Sequence, residues 1–236
     1  MKKYFLIFLA GLMILSLSCK KANTDEPTST EKNESVISTE ERIDKDNDKD
    51  ILESVLPPMV KVKGIIYKNT GYQNAMVKCG TADGEIKTTV EATKEPERDD
   101  ESNFGKGYEY QSWEDGYINV EIDNKWMLFK DLALKDNEDE IPKWVAHFTG
   151  KVISTEEDSL MVQATEIDDE FFFKKVLTKP IALPIDNLRH EKDGVLTTEG
   201  LEGKTVEVYF GGEIEHTEPE SSLPISIGDV YRIEVK

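Results

Sequence analysis

The thiol of Cys19 has the clearest chemical opportunity in this chain. It ends an uncharged run, Tyr4 to Ser18, that follows Lys2 and Lys3, and the small Ser18 sits just before it. A thiol at the junction of an apolar segment and a polar chain is placed for acylation after export. Other reactive side chains are scattered. Asp44, Asp46, Asp48 and Asp50 alternate like the first ligands of a calcium loop, but Lys49 stands where the turn needs glycine and Val55 where a bidentate Glu is needed. The run reads as solvated charge. His147, His190 and His216 form no i, i+4 pair, so no metal site is expected, although carboxylates flank His190 (Asp186, Glu191) and His216 (Glu215, Glu218). Cys79 has no catalytic motif around it and reads as a half-buried strand cysteine, with a reactive thiol or an intermolecular bridge as alternatives. Ser102 to Gly107 has neither the glycine spacing nor the following helix of a phosphate loop and reads as a mobile hairpin loop. No nucleophile elbow, Ser-Lys pair or Cys-His pair is evident. No catalytic residue and no cofactor is therefore assigned.

Charge narrows the function classes. The 236 residues carry 29 Lys+Arg and 48 Asp+Glu, a formal net charge of −19. Loss of Lys2 and Lys3 with an export signal would take this to −21. Such a chain repels phosphate backbones and anionic head groups, so no nucleic-acid partner is expected. If Cys19 is acylated, Cys79 is alone and no internal disulfide can form.

The N-terminal run has the order of a secretory signal. Its 15 uncharged residues, Tyr4 to Ser18, fall short of the roughly 20 that span a bilayer core as a helix. With Ser16, Leu17 and Ser18 before Cys19, the segment resembles the signal peptide of bacterial lipoproteins. That resemblance implies residues 1–18 as signal, a diacylglyceryl and palmitate-type modification on Cys19, and attachment to the extracytoplasmic face of the cell membrane. Two acyl chains suffice for stable anchoring where one does not. Secretion with cleavage near Ser18 and an uncleaved anchor are the alternatives.

Residues 19–57 read as a disordered acidic tether. Lys20 to Pro57 has 6 basic and 11 acidic side chains and no aromatic residue, too little apolar surface to offset ordering entropy. As a flexible coil it would reach about 34 Å. A short helix near Thr39 is a weaker signal.

Beyond the tether the periodicity is that of strands, and the fold class expected is all-β, with two small modules. In residues 58–131, Val60 and Val62 begin a strand bent at Gly64. Asn69-Thr70-Gly71 reads as a turn, as does Ala82-Asp83-Gly84-Glu85, which leads into Ile86, Thr88 and Val90. Lys94 to Gly107 reads as a long loop, and Asp123-Asn124 as a two-residue hairpin turn. Tyr108, Tyr110, Trp113, Tyr117 and Trp126 suit either a sugar-binding face or, more simply, the core. Residues 132–146 form a linker, with Trp144 expected against the second module.

In residues 147–236, strands are expected at Phe148–Ser154, Leu160–Val162, Ile181–Ile185 (an edge strand, because of Pro184), Val206–Phe210 and from Ile227 onward. Five short strands with glycine-marked bends suggest an OB-like five-stranded barrel. This module's 9 basic and 19 acidic residues argue against single-stranded nucleic acid. Phe171-Phe172-Phe173, after Asp168-Asp169-Glu170, should present one ring outward if the segment is a half-exposed strand.

Two further resemblances concern these modules. Pro57-Pro58-Met59-Val60, Cys79-Gly80, Asp83-Gly84, Ser102-Asn103-Phe104-Gly105, Gly107-Tyr108 and Lys125-Trp126 to Phe129 resemble an N-terminal module of exported Gram-positive proteins. Phe148-Thr149-Gly150-Lys151-Val152, Ser159-Leu160-Met161-Val162, Gly203 to Tyr209 and Gly212-Glu213-Ile214-Glu215 resemble the YobA-type domain, a small β-barrel of bacterial lipoproteins, over about 85 residues. The family's Glu-Ser-Tyr-Pro-Ala-like segment is replaced here by Glu215 to Pro219, with Glu220 to Pro224 inserted. Neither resemblance implies an activity. The functional expectation is a membrane-anchored binding, sensing or interaction protein, with its ligand-binding residues and its envelope protein or glycan partner unassigned. The alternatives are an extracellular enzyme acting on cell-wall glycan and a metal or small-ligand sensor. Paired carboxylates with raised pKa in an aromatic cleft would favour the enzyme.

Overall fold

The computed structural model describes residues 54–77, 81–135, 139–192 and 194–236. The expected signal segment, Cys19, the expected tether up to residue 53, the alternating aspartates, the segment near Thr39 and Cys79 lie outside the described residues. What is described belongs to one compact unit spanning residues 51–236. It is all-β.

The first sheet contains eight strands: β1 (Met59–Val62), β2 (Ile65–Gln73), β3 (Gly84–Glu85), β4 (Thr88–Thr89), β5 (Glu101–Ser102), β6 (Glu109–Ser112), β7 (Tyr117–Ile122) and β8 (Lys125–Asp131). They run in the order β3-β6-β7-β8-β2-β1-β5-β4. The sheet's two ends are parts of one extended segment, because only Ile86 and Lys87 separate β3 from β4. β3 pairs antiparallel with β6, and β4 pairs parallel with β5. Between them Ile86 N–H donates to the Tyr108 carbonyl at 2.9 Å, and Lys87 N–H to the Asp100 carbonyl at 2.8 Å. The segment thus clasps both edges, and Ile86 is 0% exposed among Val60, Val62, Tyr67, Tyr110, Ile118, Val120 and Phe129.

Several local expectations change here. Gly64 does not bend one strand. Lys63 and Gly64, at φ 51° and 81°, form a two-residue turn between β1 and β2. Asn69-Thr70-Gly71 lies inside β2, as an irregularity in its pairing with β8, where Thr70 Oγ1 donates to the Leu128 carbonyl at 2.8 Å. The 94–107 stretch is tied to its neighbours by hydrogen bonds and contributes β5 to the sheet. The buried Glu101 carboxylate accepts from Glu97 and Arg98 N–H at 2.8 and 3.2 Å. Asn103 Oδ1 accepts from Met59 N–H at 2.7 Å, and its amide donates to the Pro57 carbonyl at 3.0 Å. Asp123 and Asn124 do form the two-residue hairpin turn, with φ of 52° and 61°.

The second sheet also contains eight strands. These are β9 (Ala146–Thr155), β10 (Ser159–Glu166), β11 (Ile181–Pro184), β12 (Leu188–Arg189), β15 (Thr205–Phe210), β16 (Ile214–Glu215), β17 (Ile225–Ile227) and β18 (Val230–Val235). A separate two-stranded hairpin is made by β13 (Glu191–Lys192) and β14 (Val195–Leu196). The order is β12-β18-β15-β9-β10-β11-β17-β16. The expected five strands are present, with the last one split into β17 and β18, and β12 and β16 are added to them. β17 pairs parallel with β11 and β18 pairs antiparallel with β15, while only Gly228 and Asp229 intervene. Residues 225–235 therefore close a circuit as residues 84–89 do in the first sheet. Gly212 N–H donates to the Gly228 carbonyl at 3.2 Å there, and a Cβ on Gly212 would lie 2.3 Å from the Gly228 carbonyl carbon.

Pro184 does not mark an edge. β11 is flanked by β10 and β17, and Pro184 is its last residue, where the missing N–H is tolerated. The inward faces of these strands enclose Phe148, Val152, Leu160, Val162, Ile181, Leu183, Val206, Val208, Phe210, Ile225 and Ile233. Gly150 permits β9 and β10 to meet, since a Cβ there would sit 2.4 Å from Val162 Cγ1. Phe171 to Phe173 is not a strand. Phe172–Lys175 is a 3-10 turn, with Phe171 and Phe173 buried and Phe172 72% exposed.

Candidate functional site

The site is built at the junction of the two sheets. The face of β7 and β8 opposite the first core is also covered. On it, Asn119 and Leu128 are fully buried, Leu128 in a cluster with Trp144 and Val145. Trp144 follows the bend at Ile141-Pro142, and its ring meets Tyr117 and Trp113 edge-on, at centroid distances of 5.1 and 6.2 Å. Both of these rings belong to the first half of the fold, while Tyr231 of the second sheet packs against the same cluster of Leu128, Trp144 and Val145. The second sheet contributes Tyr231, whose Oη accepts from Gln73 N–H at 3.2 Å and whose ring packs edge-on against Tyr72 at 5.0 Å. Burial raises the Tyr231 phenol above its ordinary range.

The linker is held on both sides. Ala75 N–H donates to the Trp144 carbonyl at 2.9 Å. Arg232, over the Tyr209 ring, donates to the Asp139 carbonyl at 2.7 Å, and Arg189 pairs with the Asp139 carboxylate at 3.1 Å. Arg232 Nε also lies 3.0 Å from Glu234, an ion pair whose N–H is not aligned for a hydrogen bond. Beside it, burial pushes the Glu207 carboxyl up, but hydrogen bonds from Lys236 and Tyr209 bring it below the usual range.

A buried amide relay fixes residues 74–76. Asn74 donates to Asn119 Oδ1 at 2.9 Å, Asn119 donates to Gln111 Oε1 at 2.9 Å, and Asn74 Oδ1 accepts from Met76 N–H at 2.9 Å. This relay carries Met76 and Val77 to the wall of an open cleft of about 740 Å³, which is also lined by Gln111, Trp113, Glu114, Lys143, Trp144, His147, Asp168 and Glu170. Both sheets contribute to it. The Lys143 ammonium sits 4.9 Å over the Trp144 ring, 3.2 Å from Asp115 and 3.7 Å from Glu114. The hydrogen bond to Asp115 holds it above the ordinary lysine range. Asp168 Oδ1 accepts from Glu170 N–H at 2.9 Å in a tight turn.

The residues singled out by sequence are mostly dispersed. His147 reaches the cleft, with Nδ1 2.9 Å from the Val145 carbonyl and its ring edge-on to Phe171. His190 lies near the Glu199 carbonyl and His216 is exposed. No group of three His, Cys, Asp or Glu side chains among the described residues could hold a metal ion. Of the five aromatics considered for a sugar face, Trp113 lines this cleft, whereas Tyr110 is buried in the first core. Asn74, Asn119 and Met76 gave no sequence signal, because their role depends on what covers the second face of β7 and β8.

Among the described carboxylates, those displaced in titration, Asp83, Glu91, Asp100, Glu101, Asp169 and Glu207, are all displaced downward. No helix among the described residues is long and apolar enough to cross a membrane. No family matches the chain, and no curated protein or solved structure matches it.

Proposed function

We propose that this chain is an extracytoplasmic lipoprotein, anchored through Cys19, whose two β-modules form a ligand-binding device with its site in the cleft at their junction. The observation that supports the ligand-binding part of this reading is the cleft itself. It has walls from both sheets, and its apolar residues are set by an amide relay and a linker clamped at Asp139 and Trp144. Its size suits a small ligand, within the roughly 300–1,000 Å³ usual for such sites. The resemblance of residues 148–215 to the YobA-type domain and of residues 1–19 to lipoprotein signals points to the same envelope setting.

The test has two parts. Cells fed radiolabelled palmitate should label the wild-type chain but not Cys19→Ala, and a labelled, membrane-retained variant would sink the anchor. Calorimetry of the full chain in detergent against a dialysable envelope fraction should give saturable heat that Met76→Trp, which fills the cleft, abolishes. Absence of saturable heat, or its survival in Met76→Trp, removes the cleft as the site.

A further inference from the structure

We infer that the cleft takes an organic cation, an ammonium or guanidinium carried on an aliphatic stem, an assignment that rests on the cleft being the ligand site. One lip already displays this chemistry with a group from the chain itself. The Lys143 ammonium lies on the Trp144 face with Asp115 and Glu114 beside it, an exposed cation held by indole and carboxylate together. The other lip, from the second sheet, offers Asp168 and Glu170. Their nearest neighbour in sequence, Asp169, is paired with Lys174, but neither Asp168 nor Glu170 has a cationic partner among the described residues. Met76, Val77 and Trp113 also line the cleft and give it apolar surface that suits methylenes rather than a hydrated ion.

Charge and donor set narrow the ligand further. An anion would meet three cleft carboxylates in a chain of net charge −19. A neutral ligand would gain no charge attraction from Asp168 and Glu170, which stand exposed at the cleft. A bare metal ion finds no set of three ligating side chains among the described residues. A cation that brings its own apolar stem matches both the carboxylates and the apolar lining.

The probe is 1,6-diaminohexane, titrated calorimetrically into the full chain in detergent, with 1,6-hexanediol as its neutral counterpart and Mg²⁺ as a bare dication. Saturable binding is expected for the diamine alone, weakened at least tenfold in Asp168→Asn/Glu170→Gln. The control Glu157→Gln/Asp158→Asn, which removes the same charge from the β9–β10 turn, should change it less than twofold. Equal weakening in both double variants would reduce the effect to overall acidity and overturn the assignment, as would hexanediol binding as tightly as the diamine. If envelope-fraction heat is lost in Met76→Trp but unchanged in Asp168→Asn/Glu170→Gln, the cation assignment falls while the cleft stands. If Met76→Trp changes neither heat, both fall.

Discussion

Tyr110 offers a measurable test of the first core. Its side chain is 6% exposed, and its hydroxyl donates to Asp100 Oδ1 at 2.7 Å. Burial first, and then the hydrogen bond to Asp100, raise the phenol to about 12, against about 10 in an unfolded chain. The folded value is the higher one, so folding favours the protonated phenol. Its contribution is complete below pH 10 and is lost as pH rises through 12. Two pH units at about 1.4 kcal/mol each give on the order of 3 kcal/mol. Tyr110→Phe removes this titration and a hydrogen bond to a charged acceptor, costing about 1.5–3 kcal/mol near neutrality. Urea denaturation of the full chain, followed by tryptophan fluorescence from pH 8 to 12, should therefore show the wild type more stable at pH 8. The gap should narrow above pH 10 and come close to zero or reverse by pH 12. Tyr67, Tyr209 and Tyr231, also raised, are common to both proteins and cancel. Stability curves that run parallel between pH 10 and 12 would refute the reasoning.

Two further substitutions probe closure and junction. Gly212→Ala places a methyl 2.3 Å from the Gly228 carbonyl carbon, a backbone contact that cannot rotate away. It should cost about 1–3 kcal/mol as overpacking, read from the urea midpoint, and an unchanged midpoint would mean that the two segments separate easily. Trp144→Ala should cost about 3–5 kcal/mol by emptying the junction cluster, and a loss under about 1 kcal/mol would show that Leu128, Val145 and Trp144 do not pack as a unit.

Local chemistry was readable where one short stretch decides the conformation. Asp123-Asn124 tolerates positive φ at both positions, and its hairpin could be recognised from the pair alone. Lys63-Gly64 adopts the same kind of turn, but lysine is a rare left-handed residue, so glycine alone suggested a bend. Phe172 does face outward, although from a 3-10 turn and not from a strand. The split strands at 84–89 and 225–235 were unreadable because each pairs with two different edges, and which edge lies nearby is a property of the whole sheet. The cleft was equally hidden. Its residues come from four separate stretches, and Asn119, which alternation would send to solvent, is buried because the junction covers that face.

The clasping segments also govern how the molecule meets other extended chains. A sheet with two open sides offers rows of unsatisfied N–H and C=O groups to any passing strand, the usual start of domain swapping and fibril growth. Here the outermost strands of the first sheet are both parts of residues 84–89, and those of the second sheet, Leu188–Arg189 and Ile214–Glu215, are only two residues long. A foreign strand finds little length to template on. For a protein with no disulfide between its two cysteines if Cys19 is acylated, that geometric closure is a safeguard against polymerisation that covalent cross-links would otherwise supply.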